Sequence, residues 1–91
     1  MADKQQVDVV VANRQGLHAR PVTQFVQLAN KFQSHIEVSN GQIAVDAKSV
    51  MSMMRLAAEF GTTLTITAKG SDASAAVRAL TDLVKGKFGE E

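Results

Sequence analysis

The chain has no cysteine, no tryptophan and no tyrosine, and its only proline is Pro21. Without cysteine there is no disulfide framework and no thiolate metal site, so a chain of 91 residues must be held by its apolar core. Four phenylalanines are the whole aromatic complement, too few for a platform that stacks single-stranded nucleic acid. A formal net charge of +1 is too weak to point to nucleic acid or a membrane surface. The apolar run from Val7 to Ala12, broken by Asp8, is too short for a secretory leader and far too short to span a bilayer. These absences lead us to expect no nucleic-acid partner, no membrane association and a cytoplasmic location. Hydrophobic residues at 45% against 21% charged are an ordinary globular balance, and the length predicts one domain over residues 1–91.

Val7, Val9 and Val11 alternate with Asp8, Val10 and Ala12, a period of two that predicts a strand with its odd positions facing the core. Asn13 to Gly16 is turn chemistry. From about Ala19 to Lys31 the period changes. Val22, Phe25, Val26, Ala29 and Phe32 recur at steps of three and four, one face of a helix with Pro21 in its first turn. Ile36 and Val38 mark a second strand, and Ile43, Val45 and Ala47 a third. Asn40-Gly41 between them predicts a hairpin turn in which both residues accept positive φ. Ser49 is the expected N-cap of a methionine-rich helix that Gly61 ends, with Val50, Met53 and Leu56 in the core. Leu64, Ile66 and Ala68 alternate with threonines in a fourth strand. After the turn Gly70-Ser71-Asp72, a stripe from Ala73 to Val84 predicts the last helix. Gly86 and Gly89 are expected to fray its end, and Glu90-Glu91 reads as a disordered tail. Every strand has one apolar and one mostly polar face. That predicts an α+β fold of order β-α-β-β-α-β-α, a single, largely antiparallel sheet with all its helices on one face.

His18 lies in the run Gly16-Leu17-His18-Ala19-Arg20-Pro21, just ahead of the first helix. A helix start offers unpaired N–H groups and the positive end of the dipole, both suited to an anion. The same field favours the neutral, nucleophilic form of an imidazole. Arg20 adds a fork of donors that fits phosphate oxygens, and its own charge is unfavourable there unless an anion compensates it. These residues alone leave two readings of His18 open, a phosphoryl acceptor and a solvent-exposed loop histidine. Ser49 likewise reads either as a plain cap or as a phosphorylation site. The segment Val50 to Ala57 carries more apolar residues than one helix face can bury, and exposed methionines make adaptable contact surfaces. His35 beside Glu37 has no third ligand, so no metal is expected. Glu59 and Asp72 read as solvated or capping.

The run Gly16-Leu17-His18-Ala19-Arg20-Pro21, followed by the helix with Phe25 and Phe32, resembles the HPr family. These are the histidine-containing phosphocarriers of the bacterial phosphoenolpyruvate-dependent sugar phosphotransferase system. Lys48-Ser49-Val50-Met51 through Met54 is similar to the family's serine-site segment, and Gly70-Ser71-Asp72 before the last helix is also typical. The resemblance covers nearly the whole chain. It implies an open-faced β-sandwich, a four-stranded antiparallel sheet covered on one face by three helices. It implies that His18 accepts a phosphoryl group on Nδ1 from enzyme I, itself charged by phosphoenolpyruvate, and passes it to the IIA domains of sugar permeases. Arg20 would pair with the phosphoryl group. Ala19, Thr23, Val50, Met51 and Met54 match docking positions, and Ser49 matches the serine modified by an HPr serine kinase/phosphorylase. The implied protein is a monomeric carrier that needs no cofactor and is not a stand-alone catalyst. Ser52 and Ala57 stand where small residues, often glycine, are common in the family. The run from Met53 to Ala58 is as similar to HPr-like proteins of nitrogen-related or regulatory phosphorelays, so the alternative reading is a signalling adaptor. An RNA-binding α+β module, the rival from another class, is disfavoured by the scarce aromatics and near-neutral charge.

Overall fold

The structure is a computed structural model that describes residues 3–90. Four strands, β1 (Asp3–Val10), β2 (His35–Ser39), β3 (Ala44–Asp46) and β4 (Thr63–Gly70), form one antiparallel sheet in the order β1-β4-β2-β3. Three helices, α1 (Ala19–Ala29), α2 (Val50–Met54) and α3 (Ala73–Lys85), contribute their apolar sides to the core above it. The element order is the expected β-α-β-β-α-β-α, and the expected antiparallel sheet is the one observed.

The register shows why alternation specifies this sheet. Val7, Ile66, Val38 and Val45 stand abreast across all four strands on the inner face. A slip of one residue in any strand would turn its apolar set to water. Phe25, Ile36, Leu64, Ile66 and Leu80 are fully buried, each side chain contributing about 1.5–3 kcal/mol by leaving water. Threonines 63, 65 and 67 lie on the opposite face, with Thr65 bonded to Asp8 across the strands at 2.7 Å.

Several boundaries differ from expectation. The first strand begins at Asp3 because its polar residues complete a ladder with β4 as far as Gly70, although their side chains are exposed. Between β2 and β3 only Gly41 has positive φ. Asn40 serves through its side chain, whose Oδ1 accepts from the N–H groups of Gln42 and Ile43 at 2.9 and 3.0 Å.

Helix α2 has five residues, and Gly61 does not cap it. After Arg55 the chain turns through Ala57 at φ 45°, a left-handed position that favours glycine. The carbonyl of Ala58 then accepts from Leu17 N at 2.8 Å, and Gly61 N donates to Val11 at 2.9 Å. These bonds to the segment before α1 outweigh the helix-forming composition of residues 56–60. Met53 and Leu56 are buried as expected, but Val50 is 42% exposed and faces solvent.

The C-terminus is also ordered differently. Past α3 the chain makes a tight left-handed turn, Lys87–Gly89, that buries Phe88 in the core. Lys87 and Phe88 both adopt positive φ, so burial of the ring is set against backbone strain. The end is therefore not frayed, and Glu90 is not a loose tail; Glu91 lies outside the described residues. Asp72 begins α3 through its backbone, while its carboxylate reaches across to Gln33 N, Ser34 N and the Ser34 hydroxyl. Those bonds, led by the hydroxyl, hold Asp72 below the usual carboxylate range.

Gly16 fixes the loop before α1. Its φ is 69°, and a Cβ would stand 2.5 Å from the carbonyl oxygen of Ala58. We predict that Gly16→Ala destabilises the fold by about 2 kcal/mol or more, through left-handed strain and displaced backbone. The urea midpoint should fall with little change in the denaturant slope.

Candidate functional site

Helix α1 begins without a cap. His18 is its N-cap residue, in an extended conformation, and its side chain makes no capping bond. The third helical position is Pro21, which has no N–H to cap. The N–H groups of Ala19 and Arg20 find no acceptor among the described residues, so they remain available to an outside anion. No acidic residue lies in the helix's first turn, and Arg20 there adds to the positive field.

The anion that answers this field comes from the far end of the chain. Glu90 Oε1 lies 3.0 Å from His18 Nε2 and accepts from Asn13 Nδ2 at 2.9 Å. Glu90 Oε2 accepts from Arg20 Nη2 at 3.0 Å. Asn13 is itself fully buried and donates to Gly16 O at 2.7 Å, so the loop that sets His18 also sets this amide. The hydrogen bonds from His18, Asn13 and Arg20, with that of His18 foremost, push the Glu90 carboxyl down to about 2 despite its partial burial. The His18 side chain keeps 32% of its exposure and Arg20 keeps 69%, so both remain reachable from outside. Arg14 and Gln15 border the same shallow depression, which adds a second guanidinium to its rim.

His18 and Arg20, picked out in the sequence, meet here. Ala19 and Thr23 are exposed on the following turn, with the Thr23 hydroxyl donating to Ala19 O at 2.9 Å. Val50, Met51 and Met54 are 42%, 83% and 45% exposed on α2, an apolar surface rather than core. Ser49 caps α2 by accepting from Ser52 N at 3.2 Å. It does not face His18. Asn30, at the end of α1, donates to the carbonyl of the neighbouring Lys48, whereas Ala58, beyond α2, bonds Leu17. Helices α1 and α2 thus run in opposite senses, and Ser49 sits beside the end of α1 remote from His18.

Sequence reasoning missed Asn13 and Glu90. The local signal for Asn13 was its place at the head of a turn ending in glycine. For Glu90 the one available signal was Phe88, a large apolar residue between two glycines past the last helix, which needed a place to be buried.

The model of the family described as "PTS HPr component phosphorylation site" matches residues 5–86. The phosphocarrier protein HPr of Neisseria meningitidis serogroup A is 42% identical over 87 residues, covering 96% of each chain. The phosphocarrier protein NPr of Shewanella violacea is 39% identical over 82 residues, covering 90% of each. The crystal structure of HPr from Thermoanaerobacter tengcongensis superposes with a TM-score of 0.92 at 44% identity, covering 96% of this chain and 98% of that one.

The Glu90 contacts carry a sign in pH. A carboxyl held down in the folded state stabilises docking above its ordinary value near 4.5, and that contribution is lost as the pH falls toward about 2. We expect the Glu90 carboxyl carbon, followed by NMR, to titrate near 2 in this protein and to move back toward 4.5 in His18→Ala.

Proposed function

From the premise that this chain belongs to the HPr family of phosphotransferase-system phosphocarriers, we propose that His18 is the residue that carries the phosphoryl group. The observation that carries this reading is the uncapped start of α1, where a partly exposed imidazole, Arg20 and two amides without an acceptor among the described residues converge. Enzyme I, charged by phosphoenolpyruvate, would donate to Nδ1 of His18, and IIA domains of sugar permeases would receive. In the transition state three equatorial oxygens share the charge, and catalysis is chiefly positioning and electrostatic. The amides of Ala19 and Arg20, fixed by the helix, supply that field without reorganisation, and the Arg20 guanidinium adds to it on leaving Glu90.

Ala19, Thr23, Val50, Met51 and Met54 form the docking surface in this reading. An apolar rim suits a carrier because it excludes water that would hydrolyse the phosphohistidine. Methionines that re-pack let one surface serve both donor and acceptor. Ser49 is the regulatory phosphorylation site, open to a serine kinase/phosphorylase at the exposed start of α2. A nitrogen-related relay is the second reading, favoured by the 39% identical NPr relative. Charging by a sugar-type or by a nitrogen-type enzyme I separates the two.

Incubation with phosphoenolpyruvate and enzyme I should yield an acid-labile, alkali-stable phosphate on the wild-type protein and none on His18→Ala. A wild-type protein left unmodified by a competent enzyme I would sink the reading. Ser49→Asp should raise the KM for enzyme I by about tenfold, the effect of one rim charge worth roughly 1.4 kcal/mol, with kcat little changed. Equal transfer kinetics would reduce Ser49 to a cap.

A further inference from the structure

Phosphoryl transfer as proposed above employs His18 and Arg20 and leaves the Glu90 carboxylate without a task, although it is the group the ring touches. Its placement is costly. Phe88 is buried, Lys87 and Phe88 are bent into left-handed conformations, and the buried Asn13 orients one carboxylate oxygen. We propose that Glu90 is the positioning residue for His18, its carboxylate holding the ring proton on Nε2 so that Nδ1 presents the lone pair that accepts the phosphoryl group. This assignment rests on the reading of His18 as the acceptor.

The proton's place follows from the donor count. An ionised carboxylate can only accept hydrogen bonds, and Oε1 already accepts from Asn13. The ring nitrogen that faces it, Nε2, must therefore carry hydrogen. A neutral imidazole has one N–H, so Nδ1 is left bare, and it has no hydrogen-bond partner among the described residues. The arrangement follows the logic of a carboxylate that orients a catalytic histidine and fixes its tautomer.

The same contact serves through the transfer. The Nδ1 lone pair forms the new N–P bond, and the N–P bond to the donor's phosphohistidine breaks, its electron pair returning to the donor ring. The His18 ring then carries positive charge with its proton still on Nε2, facing the Glu90 carboxylate. No proton needs to move on this protein. Arg20, 69% exposed, can leave Oε2 for the phosphoryl oxygens while Asn13 keeps Glu90 in place.

The test compares wild type, Glu90→Ala and Glu90→Gln. Imidazole ¹⁵N shifts, recorded at alkaline pH, report the tautomer without any phosphorylation. Rates of acceptance from charged enzyme I report the function. We expect Nε2–H to dominate in wild type and to decline in Glu90→Ala, with acceptance about tenfold slower. Glu90→Gln, which keeps an acceptor oxygen without the charge, should fall between. Faster or equal acceptance in Glu90→Ala would overturn the proposal, since Glu90 would then merely occupy the phosphoryl seat. An unchanged tautomer would overturn it as well. Failure of the wild type to be charged at all would instead refute the reading of His18, and the tautomer measurement stands apart from that result.

Discussion

Helix α1 starts uncapped, and the chemistry proposed for His18 depends on that. Serine, threonine, aspartate or asparagine at an N-cap is worth about 1 kcal/mol over a residue that cannot cap. Here histidine holds the position, proline removes the N–H at the third helical position, and arginine raises the positive field. Each choice weakens the helix end as a structural element and improves it as a seat for an anion. The burial of Pro21, Val22, Phe25, Val26 and Ala29 against the core holds the helix in spite of its end. Propensity and capping contribute tenths to about one kcal/mol, whereas each large buried side chain contributes more. A strong core is therefore what permits a badly capped helix to point its start at solvent.

How far the sequence discloses this depends on whether the determining contact is local. The strands were legible because a half-buried sheet demands a period of two, and Val7, Val9, Ile36, Val38, Leu64 and Ile66 supply it. The stripes of α1 and α3 were legible for the same reason at a period near 3.6. Helix α2 was overextended because Leu56, Ala57 and Ala58 favour helix in isolation, while the bond from Leu17 to Ala58 that ends it comes from 41 residues away in sequence. His18 and Arg20 announce themselves through their place before a helix. Glu90 does not, since nothing near it in the chain names its partners. Its position is the product of a buried ring at Phe88 and a buried amide at Asn13, both tertiary facts.

The antiparallel layout of α1 and α2 sets Ser49 apart from His18. Lys48 is tied to Asn30 at the end of α1, and the helix's eleven residues span roughly 16 Å at 1.5 Å each. A charge placed at Ser49 is thus about two Debye lengths from His18 at physiological salt, where about 8 Å is one. Its direct field on the imidazole across that surface is largely screened. Val50 and Met51, by contrast, adjoin Ser49 in the chain and are exposed. If Ser49 is modified as proposed, a phosphate there would meet a docking partner in close contact, with water excluded and screening much reduced. In the reading proposed for His18, the chemistry lies at the start of α1 and α2 is left free to govern access. On that reading, charge at Ser49 would change which partners dock without altering the nucleophile proposed at His18.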